Sequence, residues 1–206
     1  MARSYAQLCG IARAMDLLGE RWTMLIVRDL MLGPLRFGEL LAIEEGIGPN
    51  LLASRLRRLE DAGVVTQSRY GRARSYALTE HGQSLKPILL GLGAFGSSLP
   101  GSLAEKRGCF DWFAFSLHRR GRASRRADPV LLRCGSRQVV VSTAPELLIQ
   151  RGDGVGISER VEGELPALAA WLARGKDWKE LEASGALKVD GDRRAIERFS
   201  RLFTLP

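Results

Sequence analysis

Three arginines around a glycine turn are the residues whose type and spacing point most directly to a chemistry. Arg69, Arg72 and Arg74 surround Gly71, and no acidic residue lies among them. A planar guanidinium binds phosphate through two hydrogen bonds, and it also suits the narrow minor groove of DNA. A solvated hairpin tip is the alternative interpretation, although such a tip normally mixes positive and negative side chains.

A second set of polar residues follows one face of the predicted helix Asn50–Asp61. At about 100° per residue, Leu52, Leu56 and Leu59 form an apolar stripe. The opposite face carries Asn50, Ser54 and Arg57, with the small Ala53 beside them. An amide side chain can read an adenine edge, and an arginine can bind guanine or phosphate. The alternative is an ordinary amphipathic surface helix, which also has a polar outer face.

The surrounding pattern predicts a winged helix-turn-helix, a mainly α fold with a β-hairpin wing. Residues 8–33 carry apolar side chains at helical spacing, and a short segment follows at residues 37–41. Val64–Tyr70 and Arg74–Leu78 predict the two strands of the wing, which places the three arginines at its tip. A further capped helix is predicted over residues 79–95.

Several segments of this half resemble HxlR-type bacterial transcriptional regulators. They are Cys9, residues 14–23, 25–26 and 28–30, Arg36–Leu40, Leu52 with residues 55–65, and Tyr76–Gly82. The resemblance covers about residues 5–98. It implies a homodimer that binds a pseudo-palindromic operator in double-stranded DNA, with residues 50–61 as the recognition helix and residues 69–74 as the wing. On this basis Pro49 and Arg58 join the predicted DNA-binding residues. Because the family often has Ser or Thr and Lys near Pro49 and Asn50, the operator sequence is expected to differ.

Cys9 lies at a position where this family frequently has a cysteine, and some members use it to sense thiol-reactive compounds. Sensing requires an exposed thiolate near positive charge, and Arg13 lies one helical turn further along the chain. The alternative is that Cys9 is a small buried apolar residue.

The second half of the chain has a different pattern, with successive short predicted strands. The domain boundary is predicted in the Gly-, Ser- and Pro-rich stretch 96–101. We therefore expect a DNA-binding and dimerisation domain at residues 1–100 and a second domain at residues 101–206. The predicted strands are Phe110–Leu117, Val130–Cys134, Gln138–Thr143, Leu147–Gln150, Ile157–Val161 and Ala186–Val189. With helices at residues 165–173 and 193–203, they predict an α+β domain in which helices cover an antiparallel sheet.

The end of this half is similar to sterol-carrier-protein-type lipid-binding domains. The similarity rests on Glu164–Leu172, Gly175, Trp178, Leu181, Gly185–Asp192, Ala195, Ile196 and Phe199. It implies an apolar cavity between sheet and helices. The predicted pocket residues for an apolar or amphiphilic effector are Trp112, Phe115, His118, Trp171, Trp178 and Phe199. The alternative is that these side chains fill a core.

Composition narrows the classes of function. Lys+Arg 31 against Asp+Glu 23 gives a net charge of +8, which suits a polyanionic partner or reflects a coding bias towards arginine. Three widely spaced cysteines suit a reducing cytosol. Nothing resembles a signal peptide or a membrane span, so we expect a cytoplasmic protein with no membrane partner.

No arrangement of residues predicts catalysis. Residues 91–96 fit G-x-G-x-x-G, but a dinucleotide site requires a preceding strand, and here the preceding pattern is helical. His81, His118 and the cysteines are too scattered in sequence for a zinc motif. We therefore expect no enzyme, no cofactor and no metal.

The sequence thus predicts a dimeric DNA-binding transcriptional regulator whose second domain senses a small apolar molecule. The alternative is a lipid or small-ligand carrier in which the winged-helix half serves only for dimerisation.

Overall fold

A computed structural model describes residues 4–70, 73–101 and 108–203, and the side chains of residues 69, 70 and 73 lie outside this description. The chain divides into two compact units, Met1–Gly91 and Leu92–Pro206. Among the described helices, none is long and apolar enough to cross a membrane.

The first unit is a winged helix-turn-helix. Its elements are α1 (Gly10–Leu18), α2 (Thr23–Leu30), β1 (Leu35–Arg36), α3 (Phe37–Ile43), α4 (Pro49–Asp61), β2 (Val65–Tyr70), β3 (Ala73–Leu78), α5 (Glu80–Gln83) and the start of α6 (Lys86–Ser98). The three strands form an antiparallel sheet in the order β1-β3-β2. Leu52, Leu56 and Leu59 of α4 are buried, which confirms the predicted apolar stripe.

The single helix predicted over residues 8–33 is wrong, because the chain turns sharply between α1 and α2. The N–H of Gly19 bonds to the Met15 carbonyl at 2.9 Å and ends α1. Trp22 then adopts a left-handed conformation with φ 78°, which a continuous right-handed helix excludes. The turn places Glu20 and Arg21 within hydrogen-bond distance of Arg55 and Arg58 on α4.

The predicted wing and cap are confirmed where the structure describes them. Strands β2 and β3 pair from Val65↔Leu78 to Tyr70↔Ala73, whereas Gly71 and Arg72 lie outside the described residues. The Thr79 hydroxyl accepts the Gly82 N–H at 3.0 Å and caps α5. That helix is short and α6 begins separately at Lys86, so the one helix predicted over residues 79–95 is two.

The second unit is α+β and contains a five-stranded sheet and several helices. Its elements are α7 (Phe110–Ser116), a 3-10 turn (Leu117–Arg119), β4 (Val130–Cys134), β5 (Arg137–Ser142), β6 (Leu148–Arg151), β7 (Glu159–Gly163), α8 (Leu165–Arg174), α9 (Trp178–Ala183), β8 (Leu187–Asp190) and α10 (Arg193–Ser200). The strand order is β6-β5-β4-β7-β8. Buried side chains of the inner sheet face, such as Leu132, Val141 and Val161, form the core with α8 and α10.

The antiparallel sheet predicted for this unit is wrong in one pairing, because β4 and β7 run parallel. The chain leaves β6 at one edge and reaches the far side of β4, so residues 152–158 must cross a face of the sheet. Gly154 makes this crossing possible: a Cβ there would lie 2.8 Å from Leu131 Cδ2, and its φ is +69°.

The strand predicted at Phe110–Leu117 is also wrong, since this segment is helix α7 and the 3-10 turn. Its buried residues are Phe110, Asp111, Ala114, Phe115 and Leu117, which follow helical spacing rather than the alternation of a strand. A short aromatic run does not distinguish the two by composition, which explains the error.

Candidate nucleic-acid interface

The outer face of α4 presents the residues that the sequence predicts for base reading. Pro49, Asn50, Ser54 and Arg57 are exposed, and Ala53 is half-buried beside them. Pro49 is the first helical residue, where the missing N–H would have no partner within the helix. The face combines a short amide, a hydroxyl and one long cation on a helix whose other side is anchored in the core.

A cluster around Glu20 holds α4 to the turn between α1 and α2. The Glu20 carboxylate binds Arg55 at 2.5 Å and Arg58 at 2.9 Å, using one oxygen for each guanidinium. Arg55 also donates to the Arg21 carbonyl at 3.1 Å, and Arg58 donates to the Asp16 carbonyl at 2.8 Å. These bonds limit both the rotation and the sliding of α4.

The Glu20 cluster changes the interpretation of one predicted DNA-binding residue. Arg58 is half-buried with its guanidinium on Glu20 and the Asp16 carbonyl, so the structure places it behind the reading face. The analysis of the sequence missed Arg55 and Glu20. The Arg-x-x-Arg spacing of α4 puts two cations on one flank, which indicates a shared anion, but only the fold reveals that the anion comes from 35 residues earlier.

The wing carries arginines at paired backbone positions of its two strands. Arg69 of β2 lies directly opposite Arg74 of β3, and the Arg74 side chain is exposed. Arg72 lies outside the described residues. At the next paired position, the Ser68 and Ser75 hydroxyls share a 3.0 Å hydrogen bond that joins the two strands.

Buried charges lie behind the helix-turn-helix. Arg28 of α2 bonds to Asp29 Oδ1 through Nε at 2.9 Å, and it also binds the Glu44 carboxylate, which ends α3. Asp29 is only 1% exposed. Burial raises the pKa of Asp29 to about 8, Arg28 opposes this shift, and a hydrogen bond with Glu44 adds to it. The cluster therefore ties α2 to the segment that leads into α4.

Cys9 is exposed immediately before α1, so the alternative of a buried apolar residue is wrong. Its carbonyl accepts the Arg13 N–H at 3.0 Å as part of the first helical turn. Thiol sensing by Cys9 stays a prediction.

The aromatic residues predicted to line a pocket in the second unit pack largely against protein. Trp171 lies 5.9 Å from Phe199 between ring centroids, and its indole N–H donates to Ser200 Oγ at 2.9 Å. Trp178 donates to Glu197 Oε2 at 3.2 Å. Phe115 and His118 form a separate pair at 5.6 Å, and Trp112 is half-buried nearby in the same short helix as Phe115. The ligand pocket therefore stays a prediction.

Comparison with known proteins places the first unit in a family. The model for the HxlR-like helix-turn-helix matches residues 17–102. An HTH-type transcriptional regulator from Synechocystis is 33% identical over 93 residues, which cover 44% of this chain and 69% of the relative. An HTH-type transcriptional regulator from Mycobacterium bovis is 39% identical over 89 residues, or 42% of this chain, and the match spans only 56% of that relative.

Some solved structures are also similar to this chain, and the match covers almost their whole length. The quinone-bound YodB from Bacillus subtilis is 34% identical and covers 43% of this chain and 97% of its own, with a TM-score of 0.40. The matches described here leave more than half of this chain unaccounted for.

Proposed function

Because the chain belongs to the HxlR-like helix-turn-helix family of transcriptional regulators, we propose that it binds one specific operator as a homodimer. In this proposal α4 reads bases in the major groove, and the β2–β3 wing binds the DNA backbone or the adjacent minor groove.

The observation that carries the proposal is the division of labour between the two sides of α4. One side offers Asn50, Ser54 and Arg57 to solvent, and the other is fixed by buried leucines and the Glu20 cluster. A major groove admits an α-helix, and base reading requires that the helix does not rotate in the groove. The Glu20 cluster supports this because it constrains the helix before DNA arrives.

The wing supplies a contact of a different kind. The Arg74 side chain is exposed at the wing, and cations at a hairpin tip contact phosphates whatever the base sequence. We therefore assign to Arg69, Arg72 and Arg74 the salt-dependent part of affinity, and to Arg57 part of the discrimination between sequences.

Exposed apolar side chains support the homodimer. Helix α1 and the residue preceding Cys9 expose Leu8, Ile11 and Met15, and the part of α6 within the first unit exposes Ile88. Large exposed apolar surfaces mark interaction sites in soluble proteins. A homodimer would read two half-sites about 34 Å apart, which is one turn of DNA and corresponds to a pseudo-palindromic operator.

The test is fluorescence anisotropy of the full chain on labelled DNA from its own upstream region, with a scrambled duplex alongside. The titration runs from about 50 to 200 mM salt, where phosphate contacts weaken binding steeply. A preference of about a thousandfold or more for the upstream DNA is expected of a specific regulator. Absence of binding at low salt would contradict the proposal and favour the carrier alternative.

A matched pair of variants separates specific from electrostatic binding. Arg57→Ala and Arg125→Ala each remove one exposed arginine, the first from the α4 reading face and the second from the other unit. The proposal requires that only Arg57→Ala reduces the preference for upstream DNA. An equal loss in both variants would mean that net charge alone drives binding.

We also propose that the second unit responds to an apolar or amphiphilic effector. The supporting feature is its group of aromatic side chains, in which Trp171 and Trp178 provide an intrinsic signal. Titration with a medium-chain fatty acid should change tryptophan emission and operator affinity together, since a ligand regulates only if it distinguishes two states. A change in tryptophan emission without a change in operator affinity would support ligand binding but contradict regulation by the ligand.

A further inference from the structure

Two of the three cysteines of the chain converge in the second unit. Cys109 immediately precedes α7, and Cys134 is the last residue of β4. Both side chains are half-buried, so small solutes reach them from solvent. They lie outside residues 17–102, which the family model matches.

A chain of contacts brings the two thiols together through Asp111. The Cys109 Sγ lies 3.8 Å from Asp111 Oδ2, and the same carboxylate oxygen binds the Arg137 guanidinium. Arg137 in turn is the direct partner of Cys134 across the β4–β5 hairpin. Residues directly opposite in such a pair point to the same face of the sheet, so Cys134 projects towards the face that meets Asp111.

The start of α8 provides a second, independent link. Gly108 approaches Leu165 so closely that a Cβ there would lie 2.9 Å from Leu165 Cδ2. The backbone N–H of the same Leu165 donates to the Cys134 thiol. Burial raises the pKa of Cys134, the Glu164 carboxylate raises it further, the Leu165 N–H opposes the shift, and the nearby Cys109 thiol adds to it. Both cysteines therefore lie beside the first turn of α8.

The surrounding ion pairs hold this arrangement in place. Asp111 is 3% exposed and is bound by Arg137 and by Arg151, the latter through two nitrogens at 2.6 and 2.9 Å. A buried carboxylate with two guanidinium partners is costly to move. Cys109 is thus attached to a fixed point, and Cys134 is fixed by its place in the hairpin.

We propose that Cys109 and Cys134 form a reversible intrachain disulfide when the protein meets a peroxide. The Cys109 thiolate attacks one peroxide oxygen, so that an S–O bond forms, the O–O bond breaks and the leaving hydroxide takes up a proton to become water. The Cys134 thiolate then attacks the resulting sulfenic sulfur, forming the S–S bond and releasing hydroxide, which becomes water with the Cys134 proton. Two thiols are oxidised and one peroxide is reduced to two waters.

We assign the resolving step to Cys134, because burial raises its pKa and leaves less of it as the thiolate that attacks peroxide. The exposed Cys9 belongs to the first unit and takes no part in this pair.

The experiment uses the full chain with Cys9→Ala, treated with hydrogen peroxide and analysed by mass spectrometry without reduction. The expected product is a monomer lighter by about 2 Da, because a disulfide removes two hydrogens. Trypsin should release residues 108–119 linked to residues 134–137, since arginines flank both segments. The rate of linkage should not depend on protein concentration, and dithiothreitol should restore both thiols.

Two matched variants in the same background complete the test. Cys109→Ser and Cys134→Ser should each abolish the linked peptide, and each should leave a thiol that gains oxygen instead. Gain of oxygen by both cysteines in the Cys9→Ala protein, with no linkage, would overturn the proposal, as would linkage between chains only. Should a serine variant lose its thermal transition, alkylation of the Cys9→Ala protein during peroxide treatment decides the question. If the two thiols disappear at the same rate as the linked peptide forms, the result supports a Cys109–Cys134 disulfide. If the two thiols disappear at independent rates, the result contradicts it.

Discussion

The ion-pair clusters around Glu20 in the first unit and Asp111 in the second unit act in different ways. In the first unit, Glu20 holds two arginines behind an exposed face of α4, and its own side chain remains partly accessible. In the second unit, Asp111 draws Arg137 and Arg151 onto a carboxylate that is almost fully buried. The first arrangement orients a surface, whereas the second closes a core.

This difference explains why one unit is easier to interpret than the other. A DNA-reading surface must face outwards, so its residues form an amphipathic pattern that is visible along the chain. The second unit turns its aromatic and ionic residues inwards, and the same composition serves a core or a ligand. The predictions below test whether the buried cluster affects only stability and the exposed face only DNA reading.

The largest expected effect is on the stability of the second unit. Asp111→Asn keeps the shape of the side chain but leaves two arginines without their carboxylate, which should cost about 3–5 kcal/mol of unfolding free energy. Urea denaturation followed by tryptophan emission measures this loss. Asp128→Asn, at an exposed ion pair with Arg198, is the matched control and should cost less than about 1 kcal/mol. A loss of operator discrimination in folded Asp111→Asn protein would contradict the claim that the Asp111 cluster affects only stability.

The next effect concerns DNA reading by α4. Arg57→Ala should lose about 1–3 kcal/mol of discrimination between upstream and scrambled DNA, if its guanidinium binds a base edge. Arg74→Ala should weaken both duplexes alike and reduce the slope of log K against log salt by about one unit. Anisotropy titrations over a range of salt concentrations measure both quantities. The same salt slope and the same loss of discrimination in the two variants would contradict the division between helix and wing.

Much of the first unit follows from local sequence, because its elements are set by periodicity and caps. The leucine stripe of α4, the hairpin and the Thr79 cap each depend on residues within a few positions of one another. The turn at Trp22 and the Glu20 cluster do not. Trp22 has no residue-type signal for a left-handed conformation, and Glu20 meets Arg55 and Arg58 only after the chain has folded.

The second unit was harder to predict for the same reason. The parallel pairing of β4 with β7 joins strands that β5 and β6 separate along the chain, and alternation within a strand says nothing about its neighbour. Helix α7 was mistaken for a strand because four of its seven residues are aromatic. Buried Asp29 and Asp111 were equally hidden, since a carboxylate in sequence is expected at the surface.

A smaller effect should appear in the pH dependence of stability. Because the pKa of Asp29 is raised to about 8, the folded protein keeps a proton that the unfolded chain has already released. The free energy of unfolding should therefore fall as pH rises from about 4 to about 8 and level off above 8. The loss between pH 7 and 8 should be about 1 kcal/mol. Asp29→Asn should remove this component, whereas the exposed Asp61→Asn should retain it. Urea denaturation at several pH values gives the comparison, and parallel curves for wild type and Asp29→Asn would show that Asp29 is ionised when buried.

The smallest change in stability is expected for Glu20→Gln. This variant tests whether the Glu20 cluster orients α4 rather than stabilises the fold. Glu20→Gln removes the charge that holds Arg55 and Arg58, but these groups are partly accessible to water, so the cost should be about 0.5 kcal/mol. The freed helix should nevertheless reduce operator discrimination about threefold, because a cluster that orients α4 acts on geometry rather than on folding. The salt slope of the variant should not fall, since Gln removes an anion and leaves every phosphate-binding cation in place. Glu60→Gln removes one carboxylate from the same helix outside the cluster and should leave discrimination unchanged. A large loss of stability in Glu20→Gln would instead make this cluster a counterpart of Asp111, and the contrast between an oriented surface and a closed core would disappear.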